Sequence, residues 1–170
     1  VGGEIPLGNV FAGNGQNGIA VVDTASGFTS FNSFSGLFSF GGPAPNGQNG
    51  LFISSTGGGQ VIETSVFSGN TLNGILIAGD ASGIVLDPNI VGMTTNGSAP
   101  MPNGGSGLVI GGTAHDITVG GYTVSVMPRS VYSGNSGFGI ALVDQAHDIT
   151  IFNTYVGTTT NGLVALARAR

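Results

Sequence analysis

The sequence predicts an all-β chain wound as a right-handed parallel β-helix, and three observations predict it. A glycine followed by alternating apolar residues recurs at Gly18, Gly50, Gly74, Gly107 and Gly139. Each recurrence is followed by two further short apolar runs before the pattern restarts. Between the runs stand Gly, Asn, Ser, Asp and Pro, residues of tight corners rather than of helices. Self-similarity at a period of 20 to 50 residues is the mark of a repeat architecture, in which one lap cannot bury its own apolar side and depends on its neighbours.

The stretch 73–107 states the repeat most clearly. Asn73-Gly74-Ile75-Leu76-Ile77 forms the first run, Ile84-Val85-Leu86 the second and Ile90-Val91-Gly92 the third, before a polar excursion leads to Gly107-Leu108-Val109-Ile110. The first run returns as Ile19-Ala20-Val21, Leu51-Phe52-Ile53 and Ile140-Ala141-Leu142. The second returns as Phe28 to Phe31, Val61-Ile62, Ile117 to Val119 and Ile149 to Ile151. The third returns as Val10-Phe11, Phe34, Val66-Phe67, Val131-Tyr132 and Tyr155-Val156. About five laps of 24–33 residues follow, each with three short strands. Laps end in two alternating ways, with a short Gly-Asn turn (Gly13-Asn14, Gly69-Asn70, Gly134-Asn135) or with an excursion (36–49, 92–106 and from Gly157 onward). Period-2 alternation turns one side of each strand inward, and laps stacked about 4.8 Å apart give a column of Ile, Leu, Val and Phe. Asn and Gly suit the corners because they tolerate left-handed backbone, and a stacked Asn can bond the lap above.

Composition agrees and excludes several functions. The 170 residues include 33 Gly, no Cys and no Lys, with 6% charged and a net charge of −5. Thiolate metal sites and disulfides are impossible, and nucleic acid is not an expected partner because phosphate neutralisation needs clustered cations. No run of about 18 apolar residues occurs, so no membrane-spanning helix is expected. Low charge with abundant Asn, Thr and Gly points to a secreted or cell-surface protein. Residues 1–170 read as a single β-helix domain with no polar cap at either end, hence as a segment of a longer repeat protein or an open-ended unit that assembles on copies of itself.

The stretch 91–121, with Val91-Gly92-Met93-Thr94-Thr95-Asn96-Gly97 leading to His115-Asp116-Ile117-Thr118-Val119-Gly120-Gly121, resembles the repeat of large bacterial right-handed parallel β-helix surface proteins, which share the pectate-lyase-like fold. Degenerate copies cover nearly the whole chain. The resemblance implies a structural or adhesive scaffold of adhesin or autotransporter-passenger type, able to self-associate end to end. The same fold also serves polysaccharide lyases, hydrolases and phage tailspikes, so a carbohydrate-active module using an Asp-lined face is the alternative.

Candidate sites are few. His115-Asp116 and His147-Asp148, each followed by Ile-Thr, lie 32 residues apart and fall at one corner of adjacent laps. Two imidazoles and two carboxylates could hold a divalent metal such as calcium, although no cofactor is expected and a solvated ladder at a turn equivalent to Ser26-Gly27, Gly59-Gln60 and Ser82-Gly83 accounts for them. Asp23, Asp80 and Asp144 follow the first strand of alternate laps and are the carboxylates a catalytic reading would use. Glycoside hydrolysis wants two of them roughly 5 to 9.5 Å apart. The extra residues of 120–128 bring Tyr122, Met127 and Arg129, types enriched at interface centres, so a side-facing binding loop competes with a simple added strand. A Thr face for ice would need Thr in register on every lap, and only the long laps have it. A glycan and further repeats or copies of the chain are the expected partners.

Overall fold

A computed structural model describes residues 8–121 and 129–166. Sixteen strands are arranged in three parallel sheets among these residues, and the chain winds as a right-handed parallel β-helix. In chain order they are β1 (Asn9–Phe11), β2 (Ile19–Val21), β3 (Thr29–Phe31), β4 (Ser33–Ser35), β5 (Leu51–Ile53), β6 (Gln60–Glu63), β7 (Ser65–Phe67) and β8 (Ile75–Ile77). They continue with β9 (Ser82–Leu86), β10 (Asn89–Val91), β11 (Leu108–Ile110), β12 (His115–Val119), β13 (Ser130–Tyr132), β14 (Ile140–Leu142), β15 (Ile149–Ile151) and β16 (Thr154–Val156). The first sheet runs β1-β4-β7-β10-β13-β16, the second β2-β5-β8-β11-β14 and the third β3-β6-β9-β12-β15. Every third strand therefore pairs, which is the connectivity of a solenoid with three sides.

The glycine anchors stand in single file. Ile19, Leu51, Ile75, Leu108 and Ile140 are register partners in the second sheet, each one residue after an anchor. The reason is a close approach rather than a special backbone angle. A Cβ on Gly18, Gly50, Gly74 or Gly107 would lie 2.6–2.8 Å from the carbonyl oxygen of the next anchor. That carbonyl accepts from the following residue's amide, as in Ile75 N to Gly107 O at 2.8 Å. Any side chain here would push laps apart.

Three kinds of inward column fill the axis. Ile53, Ile77 and Ile110 of the second sheet and Ile62, Leu86 and Val119 of the third are fully buried. The first sheet contributes Phe67, Val91 and Tyr132, also fully buried. Polar columns line the corners, which the apolar pattern alone did not announce. Asn46 Nδ2 donates to Asn70 Oδ1 at 2.9 Å, Asn70 Nδ2 to Asn103 Oδ1 at 3.0 Å and Asn103 Nδ2 to Asn135 Oδ1 at 2.8 Å. A second column runs the opposite way, Asn73 Nδ2 donating to Asn49 Oδ1 at 3.0 Å and Asn49 Nδ2 to Asn17 Oδ1 at 2.9 Å. A third opens the first sheet, where Ser33 N donates to Ser65 Oγ, Ser65 N to Asn89 Oδ1 and Asn89 N to Ser130 Oγ. A buried amide costs free energy unless its donors and acceptor are met, and stacking identical amides meets them repeatedly.

The excursions are less polar in behaviour than in composition. Each folds into a ribbon closed by an antiparallel bridge, Leu37 with Pro43, Met93 with Pro100 and Thr158 with Ala165. The returning arm bonds its own lap (Met101 N to Gly92 O, 2.8 Å) and the preceding short lap (Gly69 N to Met101 O, 3.2 Å). Leu37 and Met93 pack there on the outward residues Val66, Ile90 and Val131, making a second small core outside the axis, with Met101 and Leu166 at its margin. This explains the alternation of long and short laps. A two-stranded ribbon occupies about two strand spacings, near 10 Å along the axis, so only every second lap has room to carry one. In the first sheet the step from Ile90 to Val131 is longer than the 24–33 residues expected, because both an excursion and the extra residues near 120–128 fall within it.

Corners enforce residue choice where the backbone turns left-handed. Before the third sheet the same position is Gly27, Gly59, Gly83, Asp116 and Asp148, with φ between 52° and 73°. The lap alignment there differs by one residue from the sequence expectation, since Gln60 pairs with Ile84 and Gly59, not Gln60, occupies the corner. Gln60 thereby takes an inward position held by Ile84, Ile117 and Ile149 in later laps.

Two consequences are measurable. Asn103 Oδ1 accepts from both Asn70 N and Asn70 Nδ2, while its own amide reaches Phe67 O and Asn135 Oδ1. Asn103→Ala is expected to cost about 3 kcal/mol or more in urea unfolding, because several buried groups lose partners at once. Tyr132 Oη, by contrast, is buried with no hydrogen-bond partner among the described residues. Burial, and then the charge of Asp87, push its phenol well above the ordinary tyrosine range. The folded state therefore keeps a proton that the unfolded chain releases near pH ~10, so this stability is fully present below that pH and is lost as pH rises beyond it. Tyr132→Phe should be neutral to stabilising at neutral pH, and its alkaline unfolding curve should lose part of the wild-type decline.

Candidate functional site

The stacked histidine corner is the place where titratable side chains of different laps meet. His115 and His147 occupy equivalent positions at the mouth of the third sheet, with ring centroids 5.1 Å apart and planes inclined by 11°. Stacking follows from lap spacing, since identical side chains on paired parallel strands repeat every 4.8 Å or so. Each Nδ1 lies 3.1 Å from a backbone carbonyl two residues earlier, Thr113 O for His115 and Gln145 O for His147. A carbonyl only accepts, so the neutral rings carry their proton on Nδ1 and present a lone pair at Nε2. His115 Nε2 is 3.7 Å from Asp116 Oδ2 and His147 Nε2 is 3.8 Å from Asp148 Oδ2. Asp80 Oδ1 approaches His115 Nδ1 at 3.8 Å and accepts from Thr113 Oγ1 at 3.2 Å.

These donors run in parallel instead of converging. Lone pairs of stacked rings point outward side by side, and an ion about 2.1 Å from one Nε2 lies too far from its neighbour to bind both. Among the described residues no three His, Asp or Glu side chains are grouped to hold a metal. The carboxylates have a backbone reason for being there: Asp116 and Asp148 occupy the left-handed corner (φ 52° for both) that glycine fills in three other laps. Asp and Asn are the side chains that best tolerate that region.

The same reason covers the carboxylates of the catalytic reading. Asp23 (φ 59°) and Asp144 (φ 58°) share a left-handed corner after the second sheet with Gly79 and Gly112. Both are exposed, and Asp144 Oδ2 accepts from Gly112 N at 3.0 Å. They stand on the first and fifth strands of the second sheet, four strand spacings or about 19 Å apart. That is well beyond the span over which two carboxyls work on one glycosidic bond. Asp80 lies one residue past this corner and about 10 Å from each along the axis, at two strand spacings.

Of the loop residues, Tyr122 and Met127 lie outside the described residues. Arg129 is exposed, and its guanidinium carbon sits 4.9 Å from the centroid of the Tyr155 ring, a cation–π contact within the protein.

One exposed feature escaped the sequence reading. At the tip of the first excursion Phe38 and Phe40 stack with centroids 5.1 Å apart and planes 12° apart, and they are 42% and 78% exposed. The signal was present as Phe-x-Phe followed by Gly41-Gly42, since an i, i+2 pair in a ribbon lies on one face and the glycines leave it open. The repeat does not mark it, because the equivalent residues in the later excursions are Thr94 and Asn96, then Thr159 and Asn161.

Because the histidines are partly exposed and their contacts with carboxylates are 3.7–3.8 Å long, the double variant His115→Ala, His147→Ala should change the unfolding free energy by less than about 0.5 kcal/mol. Denaturant titration with and without zinc or calcium checks this. Compared with protein-family models, curated proteins and solved structures, the chain showed no significant match.

Proposed function

We propose that this chain is a rigid scaffold segment of a secreted or cell-surface bacterial protein, acting through shape and through stacking on further laps. One observation carries the reading: its polar side chains are invested in bonding lap to lap. The buried amides of Asn46, Asn70, Asn103 and Asn135 form an unbroken column along the axis. Asp23 and Asp144 instead stand at one left-handed corner four strand spacings apart, and Asp116 and Asp148 at another. The partner half of the proposal, further repeats or copies of the same chain, rests on the repeat pattern itself, since each lap buries its apolar side only against a neighbour. The adhesin or passenger character stays an inference from the repeat's resemblance to such proteins.

A second reading, a glycan-binding module, draws on the Phe38–Phe40 pair. An exposed flat aromatic face offers apolar contact to the C–H side of a sugar ring, and its hairpin setting holds it in place.

The scaffold reading is tested by limited proteolysis and by incubation with a panel of polysaccharides. Expected are slow cleavage confined to loops and no depolymerisation by the wild type. Depolymerisation that disappears in Asp23→Asn or Asp80→Asn, with the fold intact, would replace the scaffold with an enzyme. Glycan retention that disappears in Phe40→Ala would support the second reading.

A further inference from the structure

The chain contains eight Asn-Gly steps, at Asn14, Asn17, Asn46, Asn49, Asn73, Asn96, Asn103 and Asn161. Asn-Gly is the most labile peptide step toward loss of the side-chain amide, because glycine leaves its own nitrogen unhindered. That nitrogen attacks Cγ of the asparagine, a N–Cγ bond forms, the Cγ–Nδ2 bond breaks and ammonia departs. Water then opens the cyclic imide at either carbonyl, leaving Asp or isoaspartate. No oxidant or reductant is involved, and water is the only co-reactant.

The fold sorts these steps into two groups. At Asn17, Asn46, Asn49, Asn73 and Asn103 the following glycine nitrogen is bonded to a carbonyl of a neighbouring lap. The pairs are Gly18 N to Asn49 O, Gly47 N to Asn14 O, Gly50 N to Asn73 O, Gly74 N to Ser106 O and Gly104 N to Asn70 O, at 2.8–3.0 Å. The side-chain amides are tied as well, through the two Asn columns, so neither nucleophile nor electrophile can swing toward the other. Asn14 stands between the groups, with its side chain bonded to Asn46 Oδ1 at 2.9 Å and Gly15 exposed.

Asn96 and Asn161 differ. Both are exposed at excursion tips of the same make, Thr-x-Asn-Gly. Their Oδ1 atoms accept hydrogen bonds, from Thr94 Oγ1 and Ser98 Oγ for Asn96 and from Thr159 Oγ1 and Leu163 N for Asn161, which polarises the carbonyl carbon toward attack. Among the described residues their glycine nitrogens bond within the tip, Gly97 N to Thr94 O and Gly162 N to Thr159 O at 2.8 Å. Opening one local turn, with movement of the side chain that covers each glycine (Thr160 over Gly97, Tyr155 over Gly162), frees the nucleophile, whereas a column site requires laps to part.

We infer that Asn96 and Asn161 are sites of spontaneous deamidation in the folded protein, and that the lap-to-lap bonding shields Asn17, Asn46, Asn49, Asn73 and Asn103 from the same reaction. The two tips then gain negative charge on one side of the solenoid while its axis keeps its amides. Conversion inside a column has a different outcome. Asp in place of Asn46 would set a carboxylate oxygen against Asn70 Oδ1, where a donor now stands. A chain held unfolded long enough to react would not rebuild its ladder, making unfolding irreversible by covalent change.

Peptide mapping by mass spectrometry tests this on the full chain held in mildly alkaline buffer, folded in one arm and in urea in the other, with isoaspartate detected separately. In the folded arm Asn96 and Asn161 should convert on the order of tenfold faster or more than the five column sites, because closed states shield in proportion to the rarity of opening. In urea all seven should react at similar rates, and refolding yield should fall as the column sites convert. Column sites converting as fast as the tips in the folded chain, or tips that react in urea alone, would overturn the inference.

Discussion

Stacking of like on like across a lap spacing of about 4.8 Å is the constraint from which the rest of this molecule follows. A parallel pair in exact register places each side chain over its equivalent in the next circuit. Apolar residues so placed make a continuous core, and amides so placed satisfy one another. Charges so placed would repel. The solenoid accordingly keeps Asn inside and Ile and Leu between, with Asp23, Asp80, Asp116, Asp144 and Asp148 exposed at or beside its corners. Register is strongly enforced here because a slip of one residue would turn Ile53, Ile77 and Ile110 outward and set their polar neighbours inward.

The polar columns have the character of specification as much as stabilisation. Apolar packing tolerates repacking at modest cost, whereas a buried amide without its partner loses the whole benefit of burial. Two Asn columns with opposed donor directions therefore select one alignment of laps from the several that apolar residues alone would accept. The glycine file beside them plays the complementary steric part, since a Cβ on Gly18, Gly50, Gly74 or Gly107 would collide with both the next anchor's carbonyl and a column Asn amide. Where the scheme is imperfect the flaw is visible: Gln60 and Tyr132 each bury an oxygen without a partner among the described residues.

On the outside, one economy of space explains the long repeat. A ribbon two strands wide cannot be carried by consecutive laps, so long and short laps alternate and the excursions cover their neighbours. The second core of Leu37, Val66, Ile90, Met93 and Val131 arises from this covering and leaves the middle strands β7, β10 and β13 of the first sheet buried on both faces. The second sheet has no such cover, and its outward residues Phe52, Leu76 and Val109 are half-buried. Scaffold and binding functions alike would draw on these outer surfaces, because the axis is closed.

The sequence by itself determined the winding, the three strands per lap and the alternation of two lap types, because each is a matter of period, and period survives in the order of residues. Apolar spacing placed nearly every strand within a residue or two. What it left undetermined depends on alignment in three dimensions. Gly59 and Gln60 exchanged roles because Gly58 and Gly59 are both left-handed, at φ 67° and 73°, and a run of glycines gives no local sign of where the corner ends and the strand begins. Spacing put Asp23, Asp80 and Asp144 on alternate laps, as the strand order has them, but it did not show that Asp23 and Asp144 fill a left-handed corner, because that angle belongs to the folded turn. His115 and His147 were correctly brought to adjacent laps, yet whether their lone pairs converge or run parallel is decided by ring orientation, which the backbone carbonyls of Thr113 and Gln145 control. The covered first sheet and the open Phe38–Phe40 pair likewise belong to the tertiary structure alone, for a residue's exposure depends on which distant segment folds over it.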